Sequence, residues 1–132
     1  MATLHLDNVN FVGNAADSKI AAHNADAAAH GLGAATAHTE SATVQPGPHS
    51  NAGASGAVVL TLGTVTAGAR YRFSVRAAQL LTVTAPAGAT IRVGSQVTAS
   101  GGSISSDVLG AGIELVADAD NTLVATSTVE VW

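Results

Sequence analysis

Arg70-Tyr71-Arg72-Phe73-Ser74-Val75-Arg76 is the stretch that decides the fold. Its residues alternate strictly, which is the period of a β-strand that buries one face and wets the other. Tyr71, Phe73 and Val75 point one way, and Arg70, Arg72, Ser74 and Arg76 point the other. Residues 57–62 on its N-terminal side, Ala-Val-Val-Leu-Thr-Leu, are rich in the β-branched and aliphatic types that suit a strand. On its C-terminal side, residues 79–84, 90–93, 97–100, 112–117, 122–126 and 129–132 read as further strands. Turn residues separate them: Ala85-Pro86-Ala87-Gly88, Gly101-Gly102 and Asp118-Ala119-Asp120-Asn121. Strands about every 10 residues with turns between them indicate an all-β fold rather than βαβ units. The expected architecture is an antiparallel β-sandwich or barrel, jelly-roll-like.

Composition changes near Pro46-Gly47-Pro48. The five histidines, the last of them His49, and the only lysine, Lys19, cluster before or at this point, while all four arginines follow it. Residues 1–48 are therefore expected to be an N-terminal arm and residues 49–132 a β-domain. Thr3-Leu4-His5-Leu6 alternates and could add a strand to a sheet, its own or a neighbour's. Asp17 or Ser18 can cap an Ala-rich helix over about 18–30, which Gly31 and Gly33 end. Ile20, His23, Ala27 and His30 share one side of that helix. So short a helix with so thin an apolar stripe is marginal in water and calls for a partner. Residues 31–50 read as linker, and a fully extended arm of 48 residues would reach about 160 Å.

The 132 residues are 47% hydrophobic, but 28 of them are alanine, which buries little area. With aromatics at 3% and charged residues at 11%, the core is small, and contact with other chains is expected to supply further burial. A net charge of −4 argues against a nucleic-acid binder, which would need a basic face to displace counterions. The absence of cysteine excludes disulfides and thiolate metal sites. The first residues lack the basic and long apolar regions of a secretion signal, and no stretch reaches the ~18 apolar residues of a membrane span. Synthesis in a cytosol and no membrane partner are expected.

Few residues invite chemistry. His23, Asp26 and His30 could gather on the axis of a symmetric oligomer and bind a metal, but without a close HxH or HxxxH pair they read rather as the polar side of a short helix. Asp118-Ala119-Asp120-Asn121 offers oxygen ligands but lacks the glycine and distal glutamate of a calcium loop. Gly53-Ala54-Ser55-Gly56 is not a nucleophile elbow, and Ser103, Ser105 and Ser106 have only His49 as a histidine in the β half. No enzyme activity, metal or cofactor is expected. Arg70, Arg72 and Arg76 form a basic stripe on an acidic chain, either a solvated strand face or a surface that meets carboxylates of a partner.

Asn51-Ala52-Gly53-Ala54-Ser55-Gly56-Ala57-Val58-Val59-Leu60-Thr61-Leu62, then Ala67-Gly68-Ala69-Arg70-Tyr71-Arg72-Phe73, then Ala77-Ala78-Gln79-Leu80-Leu81-Thr82-Val83, resembles small bacteriophage virion proteins of the capsid-decoration type. Those carry an N-x-GASG-x-V-x-L-x-L opening, a glycine turn, a Y-x-F strand and an AAQ-x-L strand. The resemblance spans about residues 50–132 and departs from the pattern at Gly63, where a proline is usual. In the arm, Ala22-His23-Asn24-Ala25-Asp26-Ala27-Ala28-Ala29-His30 is similar to H-N-x-D-x-x-A-H segments of phage tail fibres, although it occurs once.

The resemblance implies a structural virion protein that sits on the capsid exterior and bridges capsid subunits, with the major capsid protein and copies of itself, as a homotrimer, for partners. The candidate contact residues are Leu4, Leu6, Ile20, His23, Ala27, His30, Arg70, Arg72 and Arg76. The alternative it implies is a trimeric tail or head fibre component, an adhesin for host glycans.

Overall fold

The structure is a computed structural model and describes residues 34–132. Eleven strands follow one another: β1 (Thr36–Ala37), β2 (Ala42–Val44), β3 (Gly47–Ser50), β4 (Val58–Leu62), β5 (Arg70–Ser74), β6 (Leu81–Thr84), β7 (Thr90–Val93), β8 (Gln96–Val97), β9 (Ser103–Ser106), β10 (Gly112–Ala119) and β11 (Thr122–Val129). Among the described residues the fold is all-β, without a helix. The strands form a seven-stranded sheet, in the order β1-β3-β5-β10-β11-β7-β8, and a four-stranded sheet, β2-β4-β6-β9.

From β1 to β7 the chain changes sheet at every corner, so strands two apart in sequence lie side by side. They run parallel: β1 with β3, β3 with β5, β2 with β4, and β4 with β6. Parallel neighbours need a crossover, and here the crossover is a strand of the other sheet. The hairpin β10–β11 is inserted between β5 and β7, antiparallel to β5 and parallel to β7. The antiparallel, jelly-roll-like connectivity expected from sequence is therefore corrected. Five of the nine pairings among the described residues are parallel, and both sheets are mixed. Alternation marks a strand and its buried side but carries no information about which strand lies next to it.

Alternation does predict the core. Val58, Leu60 and Leu62 of β4 and Leu81 and Val83 of β6 are buried, as are Tyr71 and Phe73 of β5, Ile91 of β7, Ile113 and Leu115 of β10 and Leu123 of β11. All belong to one apolar cluster that draws on both sheets. Each such side chain contributes roughly 1.5–3 kcal/mol on burial. Alanine fills several strand ends, with Ala85, Ala89 and Ala111 buried beside β6, β7 and β10.

Three features differ from the sequence reading. Strands begin at Thr36, inside the segment read as linker: Gly47 and Pro48 suggest a loop, yet β3 lies between β1 and β5, and Gly47 takes a φ of +134° that other residues avoid. Ser103–Ser106 pairs with β6 although three of its four residues are serine. Residues 129–132 are not a separate strand: β11 runs to Val129, Glu130 turns the chain at a φ of +62°, and Trp132 packs against the core. The helix over 18–30 lies outside the described residues. At Gly63, the backbone N–H donates to the Val44 carbonyl at 3.1 Å, a bond that proline could not make.

Asn51 ties together two corners of the winding, the one that follows β3 and the one that follows β5. It is fully buried in the connection that follows β3. Its Nδ2 donates to the carbonyls of Ala77 (3.1 Å) and Gln79 (3.2 Å), and its Oδ1 accepts from the N–H groups of Arg76 (2.7 Å) and Ala77 (3.0 Å), all in the connection that follows β5. Both amide hydrogens and both oxygen lone pairs are in use. The Tyr71 hydroxyl is the opposite case, buried with no hydrogen-bond partner among the described residues. Desolvation raises its pKa above the ordinary 10.0.

Asn51→Ala should lower the unfolding free energy by about 3 kcal/mol, because it strands buried backbone groups. Asn51→Asp should be worse at neutral pH, since a carboxylate oxygen would face two carbonyls, and should recover in part on acidification; urea unfolding at two pH values checks both. Tyr71→Phe should leave the melting temperature unchanged or raised, as it removes an unsatisfied buried hydroxyl, and a drop of several degrees would contradict this.

Candidate interaction surfaces

The two sheets present outer faces of opposite chemistry. On the seven-stranded sheet the core residues of β5, β10, β11 and β7 alternate with outward ones. The register sets Arg70 beside Val116, Val116 beside Val124, and Val124 beside Arg92. The neighbouring row runs from Pro48 to Arg72 to Glu114. Arg70 Nη1 lies 3.5 Å from Glu114 Oε1, and the Thr126 hydroxyl donates to the same oxygen at 3.3 Å. Arg70 is 72% exposed, so solvent screens the pair and it adds little stability. Arg72, Arg76 and Arg92 are exposed and have no ion-pair partner among the described residues.

The predicted basic stripe is thus placed in part. Arg70 and Arg72 share the outer face, whereas Arg76 lies beyond the end of β5, in the corner where Asn51 holds its backbone. Arg92 joins the face from a distant part of the chain. Its own stretch, Thr90-Ile91-Arg92-Val93, puts Ile91 in the core and Arg92 opposite, a signal readable in the sequence. Leu4, Leu6, Ile20, His23, Ala27 and His30 lie outside the described residues.

On the four-stranded sheet the outward residues form two rows. Thr43, Thr61, Thr84 and Ser103 stand side by side on β2, β4, β6 and β9, and Val59, Thr82 and Ser105 form the next row. Six of these seven residues are hydroxylic and none is charged. The Thr84 and Ser103 hydroxyls meet at 2.9 Å. Past the Val59 row, exposed Leu80 precedes Leu81 and exposed Asp107 follows Ser106, with Leu81 and Ser106 pairing with each other; Val108, one residue further, is exposed as well.

Where β1 joins β3, the rings of His38 and His49 form a short chain. His49 Nε2 lies 2.7 Å from the Gln45 carbonyl oxygen, so it must carry the hydrogen and donate. Nδ1 of neutral His49 then accepts from His38 Nε2 at 3.0 Å. The His49 ring also stacks on Phe73, with centroids 5.6 Å apart. Desolvation holds the His49 pKa below its ordinary 6.5; the Gln45 bond opposes this and the neighbouring His38 adds to it.

Among the described residues no three histidine or carboxylate side chains come together as a metal site, and no helix is long and apolar enough to cross a membrane. Asp120 serves the fold, its Oδ1 accepting from the Ala67 N–H at 2.8 Å. Comparison with family models, with curated proteins and with solved structures finds no match for this chain.

The His49 shift sets a pH dependence. A histidine whose folded pKa is depressed favours the folded state only while neutral, so its contribution is complete above about pH 6.5 and falls as the pH drops through the folded value. Melting temperature measured from pH 8 to pH 4.5 should therefore decline below about pH 6.5, and His49→Leu should flatten that part of the profile. An unchanged acid slope in the variant would contradict the assignment.

Proposed function

We propose that this chain is a non-enzymatic structural component of a bacteriophage particle, one that decorates the capsid exterior and stabilises it by bridging capsid subunits. In this reading the two sheets are the layers of a sandwich, and its outer faces are the surfaces offered to other chains. The observation that carries it is the face bearing Arg70, Arg72 and Arg92, which outnumber the acidic Glu114 and Asp118 of β10 on the same side, on a chain whose net charge is −4. A local excess of guanidinium groups against the overall charge suits a carboxylate-bearing protein surface, since arginine binds carboxylates in a planar, two-bonded geometry. The resemblance of residues 50–132 to decoration-type virion proteins supplies the identity of that surface, the major capsid protein. Small interfaces repeated over many copies stabilise a shell because each contact holds two subunits at once. The chain would act at the virion surface after synthesis in the host cytosol.

One observation favours a fibre or adhesin role instead. A cavity of about 220 Å³ lies beside Trp132, lined also by Ile91, Val93, Gln96, Thr98 and Ile104. An indole ring next to amide and hydroxyl groups can hold a sugar. Tyr71 and Phe73 are buried in the core, which leaves Trp132 as the aromatic available for stacking among the described residues.

The test is shell stability. Shells of the encoding phage stripped of this protein should release DNA at a lower temperature than shells to which it has been added back. A variant carrying Arg70→Glu, Arg72→Glu and Arg92→Glu should fold, by circular dichroism, but bind at least tenfold more weakly. Equal heat resistance with and without the protein, or undiminished binding of the variant, would overturn the proposal. Reproducible binding on a glycan array that Trp132→Ala removes would support the adhesin role.

A further inference from the structure

We infer that the hydroxyl-bearing outer face of the four-stranded sheet is a self-association surface, and that its occupant is the same face of a second copy of this chain. The inference deepens the assembly reading and rests on it for the presence of neighbouring copies.

The case begins with charge. Two copies that met through their seven-stranded sheets would bring together faces on which Arg70, Arg72 and Arg92 outnumber Glu114 and Asp118, and this shared net positive charge opposes the contact. The rows Thr43-Thr61-Thr84-Ser103 and Val59-Thr82-Ser105 hold no charge, so nothing in them opposes an identical face. Hydrogen bonding points the same way. A contact between identical patches around a two-fold axis must be self-complementary. An arginine cannot accept and a carboxylate cannot donate, but a hydroxyl does both, so a hydroxyl row can bond to its own copy. The β-branched methyl groups of threonine and valine, with exposed Leu80 beyond the Val59 row, supply apolar area, and the exposed Asp107 that follows Ser106 bounds the neutral face on that side.

Geometry limits the strength of the contact. Four strands about 4.8 Å apart and three to five residues long give a face of roughly 250 Å² per copy. A standard stable interface buries about 800 Å² per partner. Association of the free chain is therefore weak and concentration-dependent, and it becomes substantial where another surface already holds copies side by side.

Sedimentation velocity on the full chain over a range of concentrations tests this. The weight-average mass of the wild-type chain should rise with concentration. Thr82→Arg and Thr61→Arg place a charge in the centre of the face at outward positions that tolerate it; each should keep the wild-type circular dichroism and weaken association at least tenfold. Arg72→Glu, on the other sheet, should associate as the wild type does. A wild-type chain that stays at the mass of one copy throughout, or Thr82→Arg and Thr61→Arg variants that fold and associate undiminished, would overturn the inference, as would loss of association in Arg72→Glu. Failure of the shell test with self-association intact would remove the proposed function and leave this surface standing.

Discussion

The four hydrogen bonds of Asn51 are the constraint on which the winding depends. Parallel strands that alternate between two sheets cannot be held by tight hairpins, so their corners must be fixed another way. Asn51 is buried in the corner after β3 and satisfies the backbone of the corner after β5, from Arg76 to Gln79. An apolar side chain there would leave those groups without partners in a place water does not reach. This gives a physical reason for the asparagine that opens the Asn51-to-Gly56 segment, whose side chain joins that segment to the backbone of residues 76–79.

With the corners fixed, β4, β5 and β6 bring Leu60, Phe73 and Val83 into one core and turn their alternate residues outward. The outer faces inherit their chemistry from single strands. Arginines on β5 and β7 give one sheet a basic face, and hydroxylic residues on β2, β4, β6 and β9 give the other a neutral one. A chain with few large apolar residues thereby presents two unlike surfaces, for which we propose an acidic partner and a second copy.

Much of this was legible in the sequence, and the remainder was hidden for identifiable reasons. Arg70 to Ser74 and Val58 to Leu62 announce themselves because one residue in two is buried. Strand partners were hidden, since the parallel registers arise from the corners and not from the strands. The strand at Gly47–Ser50 was hidden because glycine and proline normally mark loops, and Ser103–Ser106 because serine has little β preference. Arg92 carried a readable signal in its alternation with Ile91, but that it shares a face with Arg70 depends on the inserted hairpin. The bonds among His38, His49 and Gln45 join residues that nothing in their spacing connects.

Within the proposed assembly the two outer faces have different occupants. A cryo-EM map of the intact particle, at a resolution that places individual strands, is the decisive measurement. Density for this chain is expected on the shell exterior, with the Arg70, Arg72 and Arg92 face against capsid protein and the Thr61 and Thr82 face toward another copy. Density with the arginine face directed to solvent, or an isolated copy on a fibre tip, would contradict it.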